Sequence, residues 1–172
     1  MAKRTRPTAE RVRHLFRYEP DTGLFFHSNP HPRKRYLTGR VAGSIGRSAN
    51  GYPFVSLNID AATWKGHRIA WLYMTGEWPE LEIDHWDGDP LNNRWRNLRL
   101  ATSQQNSENM HHAHADSQSG YLGVSLTRSG RRYRSRIFVC GREVGLGVYA
   151  TAEEAHEAYL AAKRRMHEFN TL

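Results

Sequence analysis

Residues 110–120 read MHHAHADSQSG. The stretch is polar, carries no apolar period and ends in small residues, so neither a helix face nor a strand face can be drawn through it. It reads as a linker over 111–119, which divides the 172-residue chain into an N-terminal part, 1–110, and a C-terminal part, 120–172. Each part must then bury its own apolar residues. With 38% hydrophobic residues and a mean hydropathy of −0.76, each core is modest. Three histidines in this stretch, His111, His112 and His114, have no carboxylate or cysteine at ligand-like spacing and read as a solvated helix end.

Beyond the linker, YLGVSLTR, RYRSRIFVC and EVGLGVYA predict three strands separated by turns at Ser129-Gly130 and Gly141-Arg142. TAEEAHEAYLAAKRRMHEF then places Ala155, Ala158, Tyr159, Ala162 and Met166 on one helical stripe. Thr151 and Glu154 form a capping box, and the Glu153-Glu154 start and Lys163-Arg164-Arg165 end suit the helix dipole. The expected product is a three-stranded antiparallel sheet covered by one helix. Cys140 ends the apolar run RIFVC and is expected to be a buried or half-buried strand residue.

The N-terminal part opens with PTAERVRHLF, where Val12, Leu15 and Phe16 share a helix face and Thr8 is available as its cap. Leu24-Phe25-Phe26 predicts a short strand, and HSNPHPRKRYLTGR a basic loop that is either a solvated connector or a contact to a DNA backbone. GYPFVSLNI and AATWKGH predict two strands around a turn at Asp60, followed by a buried helix over HRIAWLYM that stops at Gly76. His67 in that helix reads as a packing or hydrogen-bonding histidine.

Charge narrows the class of partner. The formal charge is +8 with pI near 10.0, and arginine greatly outnumbers lysine. Guanidinium groups are planar, permanently charged forks that suit phosphate oxygens and guanine edges. Acidic proteins and membrane surfaces are alternatives, but 11% aromatics among the arginines favours nucleic acid. The single cysteine excludes an intramolecular disulfide and a cysteine-ligated zinc site. No apolar stretch approaches a membrane span, and no signal-peptide core follows the basic start, so the expectation is a cytoplasmic protein.

The densest chemistry lies in IDHWDGDPLNNRWRNLRLATSQQN, residues 83–106. Strands are expected over Glu82 to Trp86 and Asn97 to Ala101, with a helix capped by Thr102 after them. Asp84-His85 stands on the first strand, Asn97 follows 12 residues after His85, and Asn106 a further 9. Arg94, Arg96 and Arg99 surround them with positive charge. Phosphodiester hydrolysis needs a base beside a water, a divalent cation near the leaving oxygen, and cations on the phosphate. A neutral imidazole supplies the first near pH 7, and hard carboxylate and amide oxygens suit Mg²⁺ or Mn²⁺. Asn92 and Asn93 read as turn formers.

These residues resemble the HNH nucleases, in particular the phage and intron-encoded HNH homing endonucleases, over roughly residues 8–110. The resemblance implies His85 as general base, Asp84 and Asn106 as metal ligands, and Asn97 as the residue that braces the loop and orients His85. The third motif position is asparagine rather than histidine, a variant of the homing group that keeps an oxygen ligand. The implied fold class is α+β, a ββα-metal (His-Me finger, HNH) nuclease domain followed by the small three-stranded sheet packed on one helix. One Mg²⁺ or Mn²⁺ ion per active site is expected, and no zinc.

The C-terminal residues resemble the plant Apetala/ethylene-response-factor DNA-binding domain in GV after the first glycine, RYRSRI, LGVYATAEEAHEAY and the closing Asn170. That resemblance implies a sheet lying in the major groove with the helix behind it. Alternation places Tyr133, Ser135 and Ile137 on the helix side and Arg134 and Arg136 on the other. Ser125, Thr127, Arg128, Arg132 and Arg142 join the expected DNA-binding set. The tryptophans that plant domains use on this sheet are missing here, so no base preference carries over. The expected function is site-directed cleavage of double-stranded DNA in a bacterial or phage-infected cell, by a monomer that nicks one strand and requires no protein partner. A non-catalytic DNA-binding regulator is the alternative, and an RNA-binding protein a weaker one.

Overall fold

Thr8 caps the first helix: its hydroxyl accepts from the Arg11 amide at 3.2 Å, and α1 spans Ala9–Leu15. The computed structural model describes residues 5–49, 51–113 and 117–171, which form two compact units, Met1–Leu100 and Ala101–Leu172. Phe16, expected on the helix, instead opens strand β1 (Phe16–Glu19), which pairs with β2 (Leu24–His27) and through it with β3 (Val41–Ala42). Phe16 is buried in either conformation, so periodicity could not separate the two. The basic loop also contains more order than expected, with a short 3₁₀ turn over Pro32–Leu37.

A second antiparallel sheet follows in the order β4 (Ser44–Arg47), β5 (Pro53–Ile59) and β6 (Ala62–Lys65). Its β5–β6 hairpin turns on Asp60 and Ala61, both at positive φ (48° and 61°), the twist that a two-residue hairpin loop demands. The cost of that backbone is offset in part by an exposed ion pair from Asp60 to Arg11 at 2.6 Å. Helix α2 (Gly66–Thr75) ends at Gly76, whose left-handed backbone returns its amide to the Leu72 carbonyl. Val12, Phe25, Leu57, Ile59, Ile69 and Leu72 fill the core between these elements. Ile83 of β7 (Glu82–His85) and Leu98 of β8 (Leu98–Ala101) extend it, and so anchor the strand pair that carries Asp84 and His85.

The second unit begins with α3 (Ser103–Glu108), closed by a Thr102–Gln105 capping box. Its sheet has the order β11-β10-β9, from β9 (Val124–Leu126), β10 (Tyr133–Val139) and β11 (Arg142–Tyr149). Helix α4 (Ala152–Met166) carries the expected Thr151–Glu154 capping box and lays Ala155, Tyr159 and Ala162 against Val124 and Ile137. Cys140 departs from expectation: it is exposed in the β10–β11 turn at φ +49°, beside Gly141 at +75°. The strand stops one residue earlier than the apolar run because a tight hairpin needs two left-handed positions.

Lys163 departs as well. Its backbone lies in the basic last turn of α4, but its side chain is wholly buried and its Nζ donates to the Met110 carbonyl. Beside it Thr171 Oγ1 donates to Asn109 Oδ1 at 2.8 Å and lies 2.9 Å from His111 Nε2. The start of the polar stretch is therefore fastened to the C-terminal sheet-and-helix module. His112 is exposed, and His114 lies outside the described residues.

Burial lowers the Lys163 pKa to about 8. Between about pH 8 and the ordinary lysine value near 10.4, the unfolded chain holds a proton that the folded chain has released. Stability should therefore rise with pH across that window, by at most about 1.4 kcal/mol per pH unit for one proton. Urea unfolding of the full chain at pH 7.5, 8.5 and 9.5 should show this rise, and Lys163→Met should flatten it. An equal slope in both proteins would remove Lys163 from the account.

Candidate active site

Strand β7 presents Asp84 and His85 side by side in sequence and on opposite faces of the strand. Both are nonetheless buried, at 5% and 7% exposure. His85 Nε2 lies 3.1 Å from Asn93 Oδ1. Its ring meets that of His67 edge to face, with centroids 5.2 Å apart at 81°. Burial, with the charge of His85, Lys65 and Arg68 added, drives the His67 pKa to about 3, so His67 is a neutral packing partner, as its sequence context predicts. Burial also lowers the His85 pKa, against the Asn93 hydrogen bond and the carboxylates of Asp84, Asp87 and Asp89. At neutral pH His85 is a neutral imidazole able to accept a proton.

The loop that follows is held by its own side chains. Asp87 Oδ1 accepts from the Asp89 amide and Asp89 Oδ1 from the Leu91 amide, each at 2.9 Å, two successive Asx turns. Asn97 then joins the two ends of the loop. Its Oδ1 accepts from the Asp87 amide at 3.0 Å, and its Nδ2 donates to Asp87 Oδ1 at 2.9 Å and to the Asn92 carbonyl at 2.8 Å. Asn97 thus braces the loop, and Asn93 brings an amide within hydrogen-bond distance of the His85 ring. A pair of asparagines in a loop signals turns, and nothing in its spacing marks the second as the partner of a histidine.

The loop rests on the turn between β1 and β2. Tyr18 Oη donates to the Asn93 carbonyl at 2.6 Å, Trp95 donates its amide to the Pro20 carbonyl at 2.9 Å, and Arg94 Nε donates to the Asp21 carbonyl at 2.9 Å. Gly23, at φ +75°, lies so close that a Cβ there would stand 2.5 Å from the backbone of Asn93 and Arg94. Asp84 Oδ2 accepts from Arg99 Nε at 2.8 Å, and the Arg99 guanidinium lies 4.5 Å from the centre of the exposed Trp86 ring. Asp84 and His85 on β7 and Asn97 at the end of the following loop all lie in the first unit. Asn106 is half-buried on α3 of the second unit, its amide bonded to the Thr102 carbonyl at 2.9 Å.

The expected DNA contacts sort by how free their charge is. Arg96 is exposed in the 3₁₀ turn Trp95–Asn97, whereas Arg94 is tied to Asp21 and Arg99 to Asp84. On the C-terminal sheet Arg134 is exposed and pairs across to Ser125 and Val148. Arg136, on the same face, bonds Glu143 at 3.0 Å. Arg128, Arg132 and Arg142 are exposed at the two hairpin ends, and Thr127 Oγ1 accepts the Arg132 amide at 3.3 Å to close one of them. Phe138 (55% exposed) and Val148 (45%) lie on this outer face too. Alternation from Arg134 and Arg136 would have found Phe138; its place in an apolar run hid it.

Among the described residues no cluster of three or more His, Cys, Asp and Glu is placed to hold a metal. The donor chemistry of the motif is of another kind, one buried carboxylate and one amide oxygen. Such hard oxygens fit Mg²⁺ or Mn²⁺, which use few protein ligands and leave positions for water and phosphate. Among the described residues no helix is long and apolar enough to cross a membrane.

Comparison with known proteins identifies the family. A family model of HNH endonucleases matches residues 65–108, from the start of α2 through α3. Protein 3.8 of Escherichia phage T7 is 33% identical over 101 residues, covering 52% of this chain and 83% of that protein. A solved structure described as DNA binding and cleavage by the HNH homing endonuclease I-HmuI aligns with a TM-score of 0.39 at 22% identity, over 83% of this chain and 75% of that one. The chain belongs to the family of phage T7 Protein 3.8 and carries an HNH endonuclease domain.

Proposed function

We propose that this protein is a divalent-metal-dependent endonuclease of the homing type that hydrolyses one strand of double-stranded DNA. The observation that carries the reading is a buried His85 held by Asn93, preceded on the strand by a buried Asp84. In this reading His85 takes a proton from water as the water attacks phosphorus. Asp84, and Asn106 by its place in the motif, would hold the metal of a ββα-metal nuclease. The bound Mg²⁺ or Mn²⁺ supplies stabilisation of the departing 3′ oxygen. Arg99 keeps the Asp84 carboxylate oriented, and Arg96 and Arg94 favour the phosphate.

The C-terminal sheet is proposed as a DNA-docking module of the Apetala/ethylene-response-factor kind, with Arg134, Arg136 and Ser125 at its centre. Arg134→Ala with Arg136→Ala should weaken binding and reduce the slope of log K against log salt by about 2 units, roughly 0.9 per phosphate contact. Where either arginine reads a base, sequence preference should relax by about 1–3 kcal/mol per lost bidentate pair. Titration of labelled duplex at several salt concentrations measures both. Unchanged affinity and slope would show that this face does not meet DNA.

One Asp-His-Asn-Asn set and two dissimilar DNA-contacting regions suit a monomer on a long asymmetric site, where duplex strands run antiparallel and one site aligns with one strand. The test is cleavage of a genomic or randomised DNA library with Mg²⁺, with the ends mapped on each strand. Ends on one strand only, and supercoiled plasmid passing to open circle before any linear product, are expected. Immediate linear product from a two-chain complex would overturn nicking, and binding with no metal-dependent ends would make the protein a regulator.

A further inference from the structure

We propose that Asn93 is the positioning residue that selects the tautomer of His85. Its amide oxygen accepts the Nε2 proton, so that Nδ1 carries the lone pair that receives the proton of the attacking water. This rests on the reading of His85 as general base and names the atom and the residue behind it.

Three features of the Asn93 site support a built orienter over a turn residue. The first is contact: Asn93 Oδ1 stands 3.1 Å from Nε2, and Asn93 is only 1% exposed, so water does not compete for the bond. The second is rigidity. Tyr18 holds the Asn93 carbonyl at 2.6 Å, and Gly23 and Gly66 pack where a Cβ would stand 2.5 Å from Asn93 C and 3.1 Å from its Nδ2. The amide thus has little room to swing. The third is the other end of the amide. Nδ2 is buried and has no hydrogen-bond partner among the described residues. A turn asparagine ordinarily engages that group with backbone; here the hydrogen-bonding contact of the amide among the described residues is made by its oxygen, to His85.

The chemistry follows from the two possible orientations. An amide oxygen facing Nε2 demands an N–H there, which places the basic lone pair on Nδ1. An amide NH₂ facing Nε2 would demand a lone pair there and a proton on Nδ1, and Nδ1 could then accept nothing. Asn97 cannot make the choice, because its amide is spent on Asp87 and Asn92.

The test uses the full chain in three forms: wild type, Asn93→Leu, which removes the acceptor, and Asn93→Asp, which keeps an oxygen and lacks the NH₂. In ¹⁵N-resolved imidazole spectra at pH 8, wild-type His85 should be almost wholly the Nε2–H tautomer. Asn93→Leu should lose kcat about 100-fold with KM for DNA within about twofold, and should show a mixed tautomer. Asn93→Asp should recover most of the lost kcat. A wild-type Nδ1–H tautomer, or Asn93→Leu at wild-type kcat, overturns the assignment. So does Asn93→Asp as inactive as Asn93→Leu while its spectrum is that of a folded chain. A wild-type protein that does not cleave with Mg²⁺ overturns the endonuclease reading instead, and the tautomer is still read from the spectrum.

Discussion

His85→Ala should abolish strand cleavage while leaving DNA affinity nearly intact. The imidazole contacts Asn93 and the ring of His67 inside the first unit, where it does chemistry rather than docking. Removing a general base typically costs about 10²–10⁴-fold in rate, since water must then lose its proton unaided. The deletion also leaves a small hole beside His67, so stability should fall by about 1–3 kcal/mol, a moderate change that leaves the fold intact. Plasmid nicking with Mg²⁺ and duplex binding in chelator separate the two effects. Wild-type turnover in the variant would remove His85 from the mechanism.

Gly23→Ala should be the most damaging single methyl in the first unit. Gly23 is at φ +75°, where a side chain strains the backbone, and its Cβ would stand 2.5 Å from Asn93 C and Arg94 N. Those are backbone atoms, which cannot rotate aside as a side chain can. The turn must therefore separate from the loop and break the Trp95–Pro20 and Arg94–Asp21 hydrogen bonds, and the expected cost is about 2–5 kcal/mol. Gly39 supplies the control, because it has nearly the same φ (+77°) with nothing within 4 Å of the added Cβ. Gly39→Ala should cost only about 1 kcal/mol, the backbone part. Urea midpoints and nicking rates of the two variants compare the effects. Equal losses would mean that contact between turn and loop contributes nothing.

What the sequence revealed follows the range of each interaction. Caps are local, and Thr8, Thr102 and Thr151 are all found capping where their side chains predict. Alternation is local too, and it separates buried Ser135 and Ile137 from outward Arg134. The strands β3 and β4 left no such trace. Val41 and Ile45 are 56% and 67% exposed there, so apolar residues do not report an inward face. Asn93 was hidden for a third reason: its surroundings come from Tyr18 and Gly23, far upstream, which only the folded chain brings to the loop. Asp84, His85 and Asn97 could be singled out in the sequence because their spacing fits one short hairpin, from β7 to β8. Asn93 lies in that same hairpin loop, and what the tertiary fold adds is the turn between β1 and β2 that fixes it there.

The buried ammonium of Lys163 has a practical consequence for dissecting this protein. A fragment that begins at the sheet, near residue 120, discards the Met110 carbonyl on which Lys163 Nζ donates, together with Asn109 and His111 beside Thr171. It would expose the cleft that holds the amine and lose the strap that closes it. A fragment beginning before α3, at residue 101, keeps all of these contacts. A fragment meant to carry the C-terminal sheet and helix must therefore start upstream of the histidine-rich stretch, although composition alone would start it inside.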